Sequence, residues 1–216
     1  MGPHAPLAPP TDDITPPIFA LTCLRLLLSA AAVSAFAPGL LGGAERELGM
    51  GPALATLASP VVYAAGFSLL LFCRPRGASG AALLLLLGAV EGAAIGAALA
   101  LLGWGWAVKM ALVALVAGGG VFGGLAIAAY HAPGFRELSL AAALLCGLVG
   151  SGIGLAIHAN TVEIVCAWVG VLGGTLFALR DMPGVLGRVG ADEAGLGAAV
   201  LGMSAILDSV ARDGRV

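Results

Sequence analysis

The sequence predicts an all-α membrane protein in which six to seven transmembrane helices form one bundle. Of its 216 residues, 60% are hydrophobic and only 10% are charged, and the mean hydropathy is +1.04. A soluble domain carries about 25% charged residues, so this chain has too few polar side chains to cover a surface that faces water. The abundant Gly and Ala residues allow close helix approach and predict tight helix packing. The lipid bilayer is therefore the first partner that the composition predicts.

The chain begins with a Pro-rich segment, residues 1–17, that precedes the first apolar run. It holds six prolines together with Asp12 and Asp13, a composition that predicts a disordered tail. It lacks the basic start of a signal peptide. The net charge of −2 argues against a nucleic-acid partner.

The apolar runs that follow predict the transmembrane helices. Each of the first six is long enough to cross a hydrocarbon core about 30 Å thick at about 1.5 Å of rise per residue. A seventh run is weaker, because glycines interrupt it and it holds Asp208. Short connections between the runs predict one bundle over residues 18–210, with a short polar C-terminus at 211–216. The predicted spans are roughly 18–41, 51–73, 78–102, 106–130, 138–158, 161–180 and 194–210.

Positive charges are distributed unevenly between the two predicted sides of the membrane. One side holds five arginines, and the other holds three. Because positive charge favours the cytoplasmic side, the N-terminal tail is predicted to be cytoplasmic, in a bacterial inner membrane or in a eukaryotic or viral-host endomembrane. The five are Arg74, Arg76, Arg136, Arg180 and Arg188, and the three are Arg46, Arg212 and Arg215.

Glu91 and Arg25 lie inside apolar runs, and an ionisable group costs about 2.5–3.5 kcal/mol to insert at the middle of a membrane. Glu91 is close to the middle of span three, too deep to reach the interface. It is either a protonated carboxyl bonded to a neighbouring backbone or a proton or cation site that faces the bundle interior. Arg25 lies about two turns into span one, where it either extends to the nearby interface or pairs with an acid.

The sequence does not favour an enzyme. Ser151 and His158 are the nearest approach to a nucleophile and a base, but they lie on one predicted helix about 10.5 Å apart along its axis. That distance is too long for the hydrogen bond that activates a nucleophile. The three histidines are scattered and predict no metal cluster, and no cofactor is predicted.

Two further carboxylates follow the last apolar runs, Asp181 in GTLFALRDMPG and Asp208 in SAILDSV. If they meet, one proton shared between them gives a site that is sensitive to pH near neutrality. When ionised, their oxygens suit a hard cation such as Ca²⁺. Asp181 taken alone, next to Arg180, has the pattern of a polar stop at the membrane interface.

The chain resembles the transmembrane Bax-inhibitor-motif family, most clearly from Phe135 onward. FRELSLAAALLCGLVG resembles the family's basic loop and following helix, NTVEIVCAWVGVLGGTLFALRDMPGVL its sixth helix, and AAVLGMSAILD its Leu-Tyr-Leu-Asp segment. Upstream, LLLLLGAVEGAAIG resembles the third helix and FCRPRG the basic turn before it. The chain departs from the pattern at Arg180, where the family has Tyr, and after Asp208, which only SVARDGRV follows.

The resemblance implies a seven-helix bundle that leaks calcium down its gradient under pH control and regulates ion homeostasis and cell death. By position, Asp181 and Asp208 match the family's di-aspartyl pH sensor, and Arg74 matches a basic residue that latches onto it. Glu91 is then expected in the permeation path, with Ca²⁺ and H⁺ as the ions transported or sensed. The alternative is a non-conducting membrane modulator that acts through membrane protein partners.

Overall fold

The computed structural model describes residues 14–37, 50–131, 138–186 and 193–201, and within these ranges the chain is helical apart from short connections. Four helices of the described residues are long and apolar enough to cross a membrane: Thr15–Phe36, Gly77–Leu101, Gly105–Tyr130 and Thr161–Arg180. The all-helical prediction is confirmed, and these four helices indicate a multi-pass membrane protein. The helices are α1 (Thr15–Phe36), α2 (Met50–Cys73), α3 (Gly77–Leu101), α4 (Gly105–His131), α5 (Leu138–Ala156) and α6 (Thr161–Leu186), followed by a helical segment, α7, at 194–201.

The outside of the bundle is covered by large apolar side chains. Phe72 exposes 85% of its surface and Leu148 73%. Such a surface is unfavourable in water but suits lipid tails. The same pattern recurs on each of the six long helices, for example at Leu24, Val61, Leu86, Ile127, Leu155 and Leu176.

Helix α1 begins earlier than the sequence predicted. Pro16 and Pro17, assigned above to the tail, form its first turn, where a proline is tolerated because its missing N–H would have no partner within the helix. The helix ends at Phe36, five residues before the predicted end. The other five long helices begin within one residue of their predicted starts.

Helix α1 lies in the middle of the bundle, between α3 and α4. It runs parallel to α3 and antiparallel to α4, and it keeps these two consecutive helices largely apart. Helix α2 packs on α3, while α5 and α6 pack on α4. The first apolar run of the sequence therefore forms the centre of the fold.

The α1–α3 contact is a seam of glycines, and we call it the glycine seam. A Cβ placed on Gly92 would lie 2.7 Å from both Cα and the carbonyl carbon of Ser29, closer than side chains approach a backbone. Ser29 Oγ also donates a hydrogen bond to the Gly88 carbonyl, at 2.7 Å. Small residues of this kind let two membrane helices approach until their backbones touch. The seam comprises Gly88, Gly92 and Gly96 of α3 against Arg25, Ser29 and Val33 of α1.

The short segment α7 packs against the start of α3. A Cβ on Gly195 would come within 2.7 Å of the backbone of Gly80. Just before it, Glu193 pairs with Arg74 in the α2–α3 connection, at 3.7 Å. The chain after α6 therefore returns to the end of the bundle that holds the α2–α3 connection, the side that carries most of the arginines in the sequence prediction.

Candidate functional site

An ion pair lies inside the bundle between α1 and α3. The Nη2 atom of Arg25 is 2.6 Å from Oε2 of Glu91. Arg25 is almost fully buried, whereas the Glu91 side chain keeps 37% of its surface exposed. The sequence left two interpretations open for Arg25, extension to the membrane interface or pairing with an acid, and the structure shows the pairing. Glu91 bonds to this cation instead of to a neighbouring backbone group.

The glycine seam positions this pair. A Cβ on Gly88 would lie 2.7 Å from Cγ of Arg25. The arginine side chain therefore packs directly on the α3 backbone at Gly88, where a larger residue would displace it. Gly88 and Glu91 are three residues apart on a helix and share one face. The absence of a side chain at Gly88 therefore gives Arg25 its route to the Glu91 carboxylate.

Tyr63 of α2 is the third member of the polar cluster. The same Nη2 atom of Arg25 donates a hydrogen bond to the Tyr63 hydroxyl, at 2.9 Å. The Nε atom of Arg25 is buried and has no hydrogen-bond partner among the described residues. One guanidinium thus joins three helices, and its own hydrogen-bonding capacity is only partly used.

The ion pair borders a cavity of about 280 Å³. Most of its lining is apolar, from α1, α3, α4, α6 and the end of α7, and four of the described lining residues are polar or charged. This is the arrangement typical of small-molecule sites, in which a few polar groups orient a ligand in an apolar pocket. The described lining residues are Thr22, Arg25, Leu26, Glu91, Ala114, Leu115, Gly118, Phe122, Gly170, Val171, Gly174, Thr175, Ala178 and Leu201.

Two threonines in the lining present oxygen rather than hydrogen to the cavity. Thr22 donates its hydroxyl proton to the Ile18 carbonyl at 2.8 Å, and Thr175 donates its own to the Val171 carbonyl at 2.8 Å. Each hydroxyl has one proton, so its remaining capacity is to accept a hydrogen bond. Together with Glu91, they make the polar part of the lining rich in hydrogen-bond acceptors.

Glu163, at the start of α6, has a structural role. Its carboxylate accepts a hydrogen bond from the backbone N–H of Asn160 at 2.8 Å, and its own N–H donates to Asn160 Oδ1 at 2.9 Å. This reciprocal pair is a capping box that starts α6. Glu163 therefore provides a natural control for Glu91, since it is an acid of the same type away from the cavity.

The two predicted site residues whose side chains the structure describes, Arg74 and Glu91, each pair with a residue outside the predicted set. Arg74 pairs with Glu193, a partner that the sequence analysis did not name. Asp181 lies on the backbone of α6, but its side chain lies outside the described part of the structure, as does the whole of Asp208. Glu91 lies beside the cavity, and the predicted meeting of the two aspartates stays a prediction.

Sequence reasoning did not name Tyr63, Thr22 or Thr175, since single hydroxyl residues in apolar helices are common. The available signal was the shared four-residue spacing of glycines on α3 and of Arg25, Ser29 and Val33 on α1. No protein-family model matches this chain, and no curated protein or solved structure matches it either.

Proposed function

We propose that this protein is a cation leak pathway of the membrane, with calcium as its physiological ion, as the resemblance to the Bax-inhibitor-motif family implies. The observation that carries the proposal is the Arg25–Glu91 pair, a buried cation and a partly exposed carboxylate beside a partly open cavity between the helices. Ionisable groups at this depth are costly, and in membrane proteins they commonly mark ion or proton paths.

In this proposal the pair acts as an internal closure. The guanidinium occupies the carboxylate oxygen that a permeating cation would use, and its positive charge repels that cation. Calcium is a hard ion that binds oxygen ligands, which Glu91 and the two cavity threonines supply. Opening then requires Arg25 to leave Glu91, with Tyr63 as the hydrogen-bond acceptor that it already contacts.

The pH control of the proposed leak belongs to Asp181 and Asp208, as the resemblance implies. Two carboxylates within about 4 Å can share a proton, whereas beyond about 10 Å they act as unrelated acids. Protonation would neutralise the dyad and release any Arg74 contact with it. Because Arg74 also pairs with Glu193, a change at the dyad would reach the start of α7, whose far end lines the cavity.

Calcium flux into liposomes containing the purified chain tests the proposal. We expect Arg25→Gln to increase the flux, since the competing cation is gone, and Glu91→Gln to decrease it. Glu163→Gln is the matched control and should change neither the rate nor its calcium dependence. Absence of flux in the wild-type chain would favour the alternative, a non-conducting modulator, which a pull-down from native membranes with identification of partners would then address.

The dyad is tested separately. Asp181→Asn and Asp208→Asn should each abolish the pH dependence of calcium flux, while flux at the more conducting pH persists. A flux profile that keeps its pH dependence in both variants would remove the two aspartates from the proposal and leave the Arg25–Glu91 closure standing.

The proposed topology has six or seven spans, with α2 and α5 crossing the membrane beside the four apolar helices described above. It places the N-terminus and the α2–α3 connection in the cytoplasm. Labelling of single cysteines by a membrane-impermeant reagent tests it, in a chain whose native cysteines are replaced by serine. A cysteine at Arg76 should react only from the cytoplasmic side, and one at Trp104 only from the opposite side.

A further inference from the structure

The cavity beside Glu91 has a polarity that limits what it can hold. The Arg25 side chain exposes 8% of its surface and the Glu91 side chain 37%. Of the two charged partners, an entering molecule therefore meets the carboxylate first. Thr175, whose proton is engaged by the Val171 carbonyl, adds a second acceptor from α6. A ligand that bonds to the exposed polar groups of the cavity must therefore be a hydrogen-bond donor.

The α6 side of the cavity is open space rather than a helix contact. A Cβ on Gly170 or on Gly174 would meet nothing within 4 Å, although both residues line the cavity. These glycines differ from those of the glycine seam, where the neighbouring backbone fills the space. The rest of the lining near them is apolar, including Phe122 and Leu115.

We propose that this cavity is a binding site for a small apolar amine, whose ammonium group donates to the Glu91 carboxylate while its hydrocarbon body lies along Phe122, Leu115 and the open α6 face. A protonated amine supplies the donors that the acceptor-rich region needs. Its hydrocarbon body matches the apolar remainder of the lining. The site binds whether or not the protein conducts, so it does not rest on the proposed leak.

An anionic ligand fits the cavity less well. Its natural partner would be Arg25, but that side chain is only 8% exposed and its Nη2 is already engaged by Glu91 and Tyr63. An anion would also lie against the more exposed carboxylate of Glu91 and be repelled by it. The geometry therefore selects for positive charge on the ligand.

Three probes with the same compact apolar cage test this selection: 1-adamantylamine, 1-adamantanol and adamantane-1-carboxylate. Equilibrium dialysis at pH 7 with the full chain in nanodiscs, corrected by protein-free nanodiscs, measures saturable binding. We expect the amine to bind one site per chain at least tenfold more tightly than the alcohol, and the carboxylate to bind more weakly than both.

Variants locate the binding. Gly174→Leu places a side chain in the cavity and should abolish amine binding. Gly173→Leu is the matched control, because Gly173 also has open space within 4 Å but does not line the cavity, and it should bind as the wild type does. Glu91→Gln should lower amine affinity at least tenfold and leave alcohol affinity unchanged. A monodisperse size-exclusion profile verifies the fold of each variant.

Three outcomes would overturn the proposal. One is absence of saturable amine binding to the wild-type chain, and another is equal or tighter binding of the carboxylate. The third is an equal loss of binding in the Gly173 and Gly174 variants, which would place the amine outside the cavity. If Glu91→Gln alone proves misfolded, the two glycine variants still show whether the amine binds in the cavity. The three probes still show which ligand charge the site prefers.

Discussion

The glycines in the middle of α3 and those in the middle of α6 occupy opposite environments. On α3, Gly88, Gly92 and Gly96 contact the backbone of α1, and an added Cβ would collide with it. On α6, Gly170, Gly173 and Gly174 have no neighbour within 4 Å of an added Cβ. Glycine in a membrane helix thus serves close approach in one region and leaves open volume in the other.

This difference explains why the polar cluster forms where it does. The tight region brings the backbones of α1 and α3 together and delivers Arg25 to Glu91 across Gly88. The open region leaves space beside that carboxylate. An ion pair without a cavity would only stabilise the helix packing, and a cavity without polar groups would only be a packing defect. Their adjacency gives the site its chemical character.

The largest expected effect comes from closing the tight region. Gly92→Val places branched carbons against the Ser29 backbone and should destabilise the fold by about 3 kcal/mol. The cost is large because the backbone of α1 cannot move aside as a flexible side chain can. Unfolding in a mixed-micelle denaturant titration measures it. Gly173→Val is the matched control and should cost less than about 1 kcal/mol. Equal losses would contradict the contrast between the two helices.

Removing one partner of the ion pair is the next largest effect. Glu91→Gln leaves the buried guanidinium without its counter-charge, and one-sided removal of a buried partner costs about 3–5 kcal/mol. Because Glu91 is partly exposed, we expect a smaller loss, about 2 kcal/mol. The same titration measures it, with Glu163→Gln as an acid-to-amide control. A Glu91 variant as stable as the wild type would mean that the pair contributes nothing to the fold.

The hydrogen bond across the glycine seam should matter less. Ser29→Ala removes the bond from Ser29 Oγ to the Gly88 carbonyl and should cost about 0.6 kcal/mol, the usual value for such a bond between membrane helices. Ser68→Ala controls for loss of a hydroxyl that bonds only within its own helix. A Ser29 loss as large as that of Gly92→Val would show that the bond, and not the close approach, holds the seam.

The smallest effect is expected in the open region. Gly174→Ala adds one methyl group where there is space for it and removes a flexible residue from a helix interior, so stability should stay the same or rise by less than about 1 kcal/mol. Thermal unfolding followed by circular dichroism is sensitive enough to compare it with Gly92→Ala. A clear loss for Gly174→Ala would show that the α6 face is packed.

The sequence predicted the helices well because their signal is local. A run of apolar residues of sufficient length marks a span, and α3 begins at Gly77 where the sequence placed its start at 78. The start of α1 was missed because Pro16 and Pro17 suggested a tail, although proline also suits the first turn of a helix. The seventh run is confirmed as helical only over 194–201, and its part around Asp208 lies outside the described residues.

The candidate site was harder to predict because its partners are distant in sequence. Arg25 and Glu91 are 66 positions apart, and no local pattern indicates which membrane helices will be neighbours. The depth of Glu91 was a sound reason to single it out. What decided its partner was the parallel packing of α1 on α3, a tertiary property set by the glycine seam. Tyr63 joins the polar cluster through another tertiary contact, the packing of α2 on α3.

The most direct test of this account is a double-mutant cycle between Arg25→Gln and Glu91→Gln, measured as free energies of unfolding in bicelles at two salt concentrations. If the two side chains form a buried pair, the coupling energy should be about 1–3 kcal/mol and should change little with salt, since buried charges are poorly screened. Additive single effects, with a coupling energy near zero, would contradict the pairing on which both the proposed leak pathway and the amine site are built.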